Sequence, residues 1–233
     1  YDEAYDLSVA VTEEYGWYNR NAAINPFQVE GKRTVGHELA EQSIARGEVP
    51  DWLVFSMGDG CTIAGAWKGF KEFYDLDYVD DHPKMLGVQA EGASAIHDAF
   101  HDHDDVSDIA ETLADSISVG RPRNTIKACR ALEESGGTSV LVSDEAILEG
   151  EVTLGSTEGI YAEPAAAAPV AGIEKARDEG IIEADETAVV VSTGFGLKDT
   201  KSAREATGDV DRIDPDIAEV EALYGAASAA DQR

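Results

Sequence analysis

The chain has 233 residues, 47 of them acidic and 18 basic, for a formal net charge of −29. A polyanion of this kind repels phosphate backbones and anionic lipid, so nucleic acid and membrane surfaces are excluded as expected partners, and no apolar run reaches the roughly 20 residues of a membrane span. Hydrophobic residues make up 43% of the sequence, enough for a chain of this length to bury a real core.

In chain order, residues 2–15 predict a helix closed by Gly16, and residues 31–47 a second helix with Val35, Leu39, Ala40 and Ile44 on one stripe. The run 52–57 (WLVFSM) is too short for a helix and is bounded by Pro50 and Gly58, so it predicts a buried strand. A helix follows to about Tyr74, then a strand over 85–90 and helices over 93–100, 108–116 and 125–134, the last stopped by Gly136-Gly137. Residues 139–142 read as a strand, Ser143 as a helix cap, 159–162 as a short extended piece, and 164–177 as an Ala-rich helix entered through Pro164. A strand over 188–192 and a last helix over 213–224, fraying from Gly225, complete the chain. Strands alternating with helices predict an α/β fold: a three-layer domain around a parallel sheet.

In such folds ligands sit at the carboxyl ends of strands, and two loops fall there. Gly58-Asp59-Gly60-Cys61-Thr62 follows a strand and opens a helix, so its glycines permit close backbone approach and its successive N–H groups can form an anion nest. It lacks the lysine of a Walker A loop and the third glycine of G-x-G-x-x-G. Ser192-Thr193-Gly194-Phe195-Gly196 ends another strand and offers a hydroxyl beside two glycines. His97 and His101 stand at helical i, i+4 spacing beside Asp102, His103, Asp104 and Asp105. That spacing is metal-capable, but H-E-x-x-H is absent and the cluster reads as a solvated acidic loop end, so no metal is expected.

With their surroundings these loops resemble the pyridoxal-phosphate enzymes of the tryptophan-synthase-β fold type and, within it, the threonine synthases. The matching blocks run in order over roughly residues 20–205: Asn25-Pro26 to Gly31-Lys32-Arg33-Thr34, the Gly58 loop with Trp67-Lys68-Gly69-Phe70, Leu86-Gly87-Val88-Gln89-Ala90, Gly120-Arg121-Pro122-Arg123-Asn124, Glu133-Glu134-Ser135-Gly136-Gly137, Asp144-Glu145-Ala146-Ile147, Glu158-Gly159-Ile160-Tyr161-Ala162-Glu163-Pro164, and Thr193-Gly194-Phe195-Gly196-Leu197-Lys198-Asp199. The resemblance implies pyridoxal 5′-phosphate as cofactor. Its phosphate would be cradled by backbone amides of Gly58, Asp59, Gly60, Cys61 and Thr62, and its pyridine nitrogen would be met by Thr193, with Ser192 the second choice. It implies a small amino-acid substrate, O-phosphohomoserine converted with water to threonine and phosphate, and a homodimer. The domain division it implies is 1–20 as the end of a small domain, 21–212 as the large cofactor-binding domain, and 213–233 as a C-terminal helix and tail.

The sequence departs from that pattern in three places. None of its eight lysines stands in the family's S-x-K context, so the Schiff-base lysine is expected N-terminal to Tyr1, consistent with methionines only at 57 and 85. Ala22, Ala23 and Gln28 occupy the stretch where the family meets the substrate phosphate, with no arginine at 28, and Asp59 puts an acid where asparagine is usual. A related threonine/serine dehydratase, a β-replacing synthase and a non-catalytic module of the same fold are the alternatives. Two cysteines, Cys61 and Cys129, in no CxxC pattern suit a reducing cytoplasm. Acids spread from Asp2 to Asp231 suit a salt-rich one, where screening falls to about 3 Å at 1 M.

Overall fold

A computed structural model describes residues 2–103, 110–208 and 210–230. Its sheet has four parallel strands in the order β3-β2-β1-β4: β1 is Trp52–Ser56, β2 Lys84–Ala90, β3 Thr138–Val142 and β4 Ala188–Val190. The described residues also form nine helices: α1 (Asp2–Tyr15), α2 (Pro26–Arg46), α3 (Cys61–Asp75), α4 (Ala95–Phe100), α5 (Thr125–Ser135), α6 (Asp144–Thr153), α7 (Pro164–Asp178), α8 (Thr200–Thr207) and α9 (Ile217–Ala230).

The period-2 alternation of strand side chains sorts the core into two layers. Leu53, Phe55 and Met85 point to one face and pack with Ile63, Ala66, Trp67 and Phe70 of α3 and with Leu132 of α5. Trp52, Val54, Leu86 and Val88 point to the other and pack with Ile147 of α6 and with Ala165, Ala168 and Ala171 of α7. The sheet is therefore covered on both faces, which is why its strands are apolar throughout. Helix α2 lies outside α3, and the two close to backbone contact: a Cβ built on Gly36 would stand 2.0 Å from the Ala66 carbonyl oxygen. No helix among the described residues is long and apolar enough to cross a membrane.

Several elements differ from the sequence reading. Helix α2 starts at Pro26 because the Asn25 side chain accepts from the Phe27 N–H and caps it. The helix expected over 108–116 does not form in its described part, where only a 3₁₀ turn occupies Asp115–Ile117; residues 108 and 109 lie outside the described residues. Tertiary bonds hold that stretch open: the Glu111 N–H donates to the Gly92 carbonyl and the Leu113 N–H to the Asp144 carboxylate. Residues 159–162 keep one antiparallel bridge, Ala162 to Phe195, preceded by a π-helical turn over Leu154–Glu158. Strand β4 stops at Val190, two residues early. Helix α9 begins at Ile217 and continues to Ala230, where an alanine-rich sequence sustains helix beyond Gly225. Helix α8 had no counterpart in the reading, although Asp199 is a regular N-cap whose carboxylate accepts from the Lys201 and Ser202 N–H groups.

Candidate active site

Strands β1 and β4 are neighbours, so the loops leaving their carboxyl ends lie side by side. The first loop, Met57 to Gly60, turns into α3 through Gly60, whose φ of +84° would strain any residue with a Cβ. The Ala64 N–H is the first in α3 to find a carbonyl, that of Gly60. The N–H groups from Gly58 to Ile63 have no protein acceptor among the described residues. They open a 15-residue helix whose dipole is positive at this end. Gly58 and Gly60 are both buried, and a Cβ on either would press into its surroundings: Ser116 O and Ile117 Cα at 3.0 Å for Gly58, Ala128 Cβ at 2.9 Å and Ile96 Cδ1 at 3.0 Å for Gly60. The loop is thus a close-packed helix entry that presents a run of unpaired backbone N–H groups, the kind of end that attracts an anion. Cys61 and Thr62 are half-buried at the first helical positions.

Asp59 does not oppose an anion there, because its carboxylate is turned away. Its Oδ1 accepts from the Arg123 N–H at 2.7 Å and its Oδ2 from the Asn124 side-chain amide at 2.6 Å. Asn124 is buried and precedes α5, and Lys127 donates to its Oδ1. The Arg123 guanidinium in turn pairs with Asp2 and lies 4.0 Å over the Tyr5 ring, and Arg121 pairs with Asp6 at 2.7 Å, so both arginines couple α1 to this segment.

The second loop exposes Ser192 and Thr193 to solvent. Behind it sits Glu163, buried at 7% exposure, in a position sequence reasoning did not single out. A Cβ on Gly194 would stand 2.0 Å from Glu163 Oε1, so glycine is required for the carboxylate to fit. The Glu163 N–H donates to the Gly194 carbonyl, Ser116 Oγ donates to Oε1 at 3.0 Å, and Lys198 Nζ pairs with Oε2 at 3.0 Å. Lys198 also donates to Ser116 Oγ. Ser116 touches both sides, through its carbonyl beside Gly58 and its hydroxyl on Glu163, and so fixes the spacing between the Gly58 loop and Thr193. No local signal marks Glu163: it stands at the N-cap position before Pro164 and makes no cap bond, and only its distant partners turn it inward.

Other predicted positions are structural here. Asn25 is buried, capping α2 and donating to Tyr18 Oη and the Asn19 carbonyl. Ala22, Ala23 and Gln28 are half-buried. The histidine cluster is solvated at its far end, where His101, Asp102 and His103 are exposed as expected, but His97 is half-buried. His97 Nδ1 meets Ser139 Oγ at 2.9 Å, and His101 Nε2 reaches the same hydroxyl at 3.3 Å. Burial, with the His101 charge second, pushes the His97 pKa down to about 4. His103 pairs with Asp98, and Asp104 and Asp105 lie outside the described residues. Among the described residues no group of three or more His, Cys, Asp or Glu side chains is placed to hold a metal ion.

Comparison with known proteins fits this geometry. A family model described as pyridoxal-phosphate dependent enzyme matches residues 1–194. The chain is 39% identical over 222 residues to the threonine synthase of Methanocaldococcus jannaschii, covering 93% of this chain and 54% of that protein. It is 38% identical over 231 residues to the threonine synthase of Methanosarcina acetivorans, covering 97% and 56%. The chain therefore spans about half the length of these curated relatives. Its fold is similar to the processed form of threonine deaminase isoform 2 from Solanum lycopersicum, with a TM-score of 0.68 and 20% identity over 85% of this chain and 54% of that one.

Proposed function

Because the chain belongs to the family of pyridoxal-phosphate dependent enzymes, we propose that the full-length protein containing it binds pyridoxal 5′-phosphate through the Gly58 cup and acts as a threonine synthase on O-phosphohomoserine. Backbone N–H groups of Gly58, Asp59, Gly60, Cys61 and Thr62 hold the cofactor phosphate, and the Thr193 hydroxyl faces its pyridine nitrogen. When bound, the cofactor supplies an electron sink for chemistry at the substrate's carbon chain. A neutral hydroxyl partner keeps that sink modest, which suits elimination and water addition. Glu163, held by Ser116 and Lys198, orients the Thr193 loop from behind. In this reading residues 21–212 form the cofactor-binding domain and residues 1–20 close a smaller one.

The observation that carries the reading is the run of unpaired N–H groups from Gly58 to Ile63 at the start of α3, beside an Asp59 carboxylate already engaged by Arg123 and Asn124. The reaction assignment rests on the similarity to curated threonine synthases. Release of inorganic phosphate from O-phosphohomoserine by the full-length protein, with threonine formed in equal amount, tests it.

A second reading is favoured by Gln28, Ala22 and Ala23, which leave the entry to α2 without a basic side chain for a substrate phosphate. On that reading the protein is a threonine/serine dehydratase, which forms a 2-oxo acid and ammonia from threonine or serine, or a β-replacing synthase, which exchanges the β-substituent of an amino acid, and in either case it ignores the phosphorylated substrate. The dispersed acids support work in a salt-rich cytoplasm, which an activity optimum at molar salt tests. Light scattering of the full-length protein tests the homodimer.

A further inference from the structure

Helices α2, α3 and α5 enclose a groove of about 400 Å³, a volume within the range of small-molecule sites. Val29, Ala64, Trp67 and Ala131 form its base, and its lining is more apolar than polar. Four cations stand around it, Lys68 and Lys71 of α3 and Lys127 and Arg130 of α5, in a chain with only 18 basic residues and a net charge of −29. Two carboxylates also line the groove, and both are already engaged. Glu30 pairs with Lys68 at 2.5 Å and with Arg33 at 3.1 Å. Glu134 pairs with Lys71 at 2.8 Å and accepts from the Trp67 indole N–H at 3.0 Å. The Lys68 and Lys71 ammonium groups hold these two carboxyls below their ordinary range. The charge left over is positive. Lys127 donates only to the neutral Asn124 Oδ1, and Arg130, which acts on Glu134 from beyond contact, forms no salt bridge among the described residues.

We propose that this groove binds a small organic anion, its oxyanion head between Lys127 and Arg130 and a short apolar body over Val29, Ala64 and Trp67. Lys127 and Arg130 are three residues apart on α5, so they share one face of that helix. An ammonium beside a guanidinium is suited to hold a carboxylate or a phosphate monoester, since both heads accept charge-assisted hydrogen bonds. A cation would meet the surplus positive charge, and a neutral body would leave that charge uncompensated. The site is also linked to the Gly58 loop: Lys127 donates to Asn124, whose side-chain amide donates to Asp59. The proposal stands on the groove and its charges and does not depend on the reaction assigned above.

The test is calorimetric titration of the full-length holoenzyme with 3-phenylpropanoate, with phenyl phosphate and with 3-phenylpropan-1-ol, a neutral compound close in shape to the first. The wild type is expected to bind at least one of the anions saturably at millimolar concentration and the alcohol about tenfold more weakly or not at all. Tighter binding of 3-phenylpropanoate assigns a carboxylate head, and tighter binding of phenyl phosphate a phosphate monoester. Arg130→Gln alters an exposed side chain without a salt bridge, so it keeps the fold; it is expected to weaken the anion by about threefold. The double variant Lys127→Gln/Arg130→Gln is expected to weaken it by about tenfold or more. Lys175→Gln removes the same charge from α7, away from the groove, and is expected to bind as the wild type does. Absence of saturable anion binding, equal binding of the alcohol, undiminished binding by the double variant, or the same loss in Lys175→Gln as in Arg130→Gln would each overturn the proposal.

Discussion

Asp59 and Asn124 are joined by two hydrogen bonds, from the Asn124 N–H to the Asp59 carbonyl at 3.1 Å and from its side-chain amide to Oδ2 at 2.6 Å. With the Arg123 N–H on Oδ1, the acid is wholly engaged on the outer side of the loop. Asp59→Ala strands two donors and is expected to destabilise the fold by about 2 kcal/mol, with a smaller loss for Asp59→Asn. Urea unfolding of the full-length protein measures this. Equal stability of Asp59→Ala and wild type would mean that the acid does not hold the loop.

The contact between α2 and α3 depends on glycine at both sides, Gly36 of α2 and Gly65 and Gly69 of α3. Gly36→Ala pushes a methyl against the Ala66 carbonyl and is expected to cost about 3 kcal/mol, the upper end for overpacking. Gly31→Ala, in the same helix with open space around it, is expected to be neutral or to stabilise by about 0.5 kcal/mol. Paired melting curves check both, and similar effects from the two variants would contradict the close approach.

Acid stability should fall in two separable windows. His97 is half-buried and held neutral, with its pKa lowered from 6.5 to about 4, so the unfolded chain binds the extra proton between those values. Stability contributed here is full above 6.5 and declines as pH falls toward 4. Glu186 is held down to about 2 from 4.5 by the Lys84 ammonium first, then by the Glu183 N–H and the Trp52 indole. Its contribution is full above 4.5 and is lost between 4.5 and 2. His97→Gln should flatten the upper window alone and Glu186→Gln the lower one alone. Denaturant titrations across pH reveal whether each variant changes only its own window.

Much of this was legible from sequence because local signals agreed with the tertiary outcome. The WLVF run, the Asp2–Tyr15 helix and the Ser143 cap need only apolar periodicity and short-range bonding, and each formed where expected. The cup was legible for the same reason, as a strand, a glycine pair and a helix in series. Residues 110–117 failed because their partners, Gly92 and Asp144, are distant in the chain. Glu163 was missed for a related reason: nothing local says that its carboxylate fills the space left by Gly194. His97 and His101 show the converse case, where the helical spacing was read correctly but the partner, Ser139, lies on β3, distant in the chain.

The central claim is that the Gly58–Thr62 backbone holds the phosphate of pyridoxal 5′-phosphate. The most direct measurement compares the affinities of the full-length protein for pyridoxal 5′-phosphate and for pyridoxal, which lacks the phosphate, in wild type and Gly60→Ala. The account predicts a strong preference for the phosphorylated form in the wild type and a collapse of that preference by about tenfold or more in Gly60→Ala, with pyridoxal binding little changed. An undiminished preference in a folded Gly60→Ala protein would place the phosphate elsewhere and contradict the account.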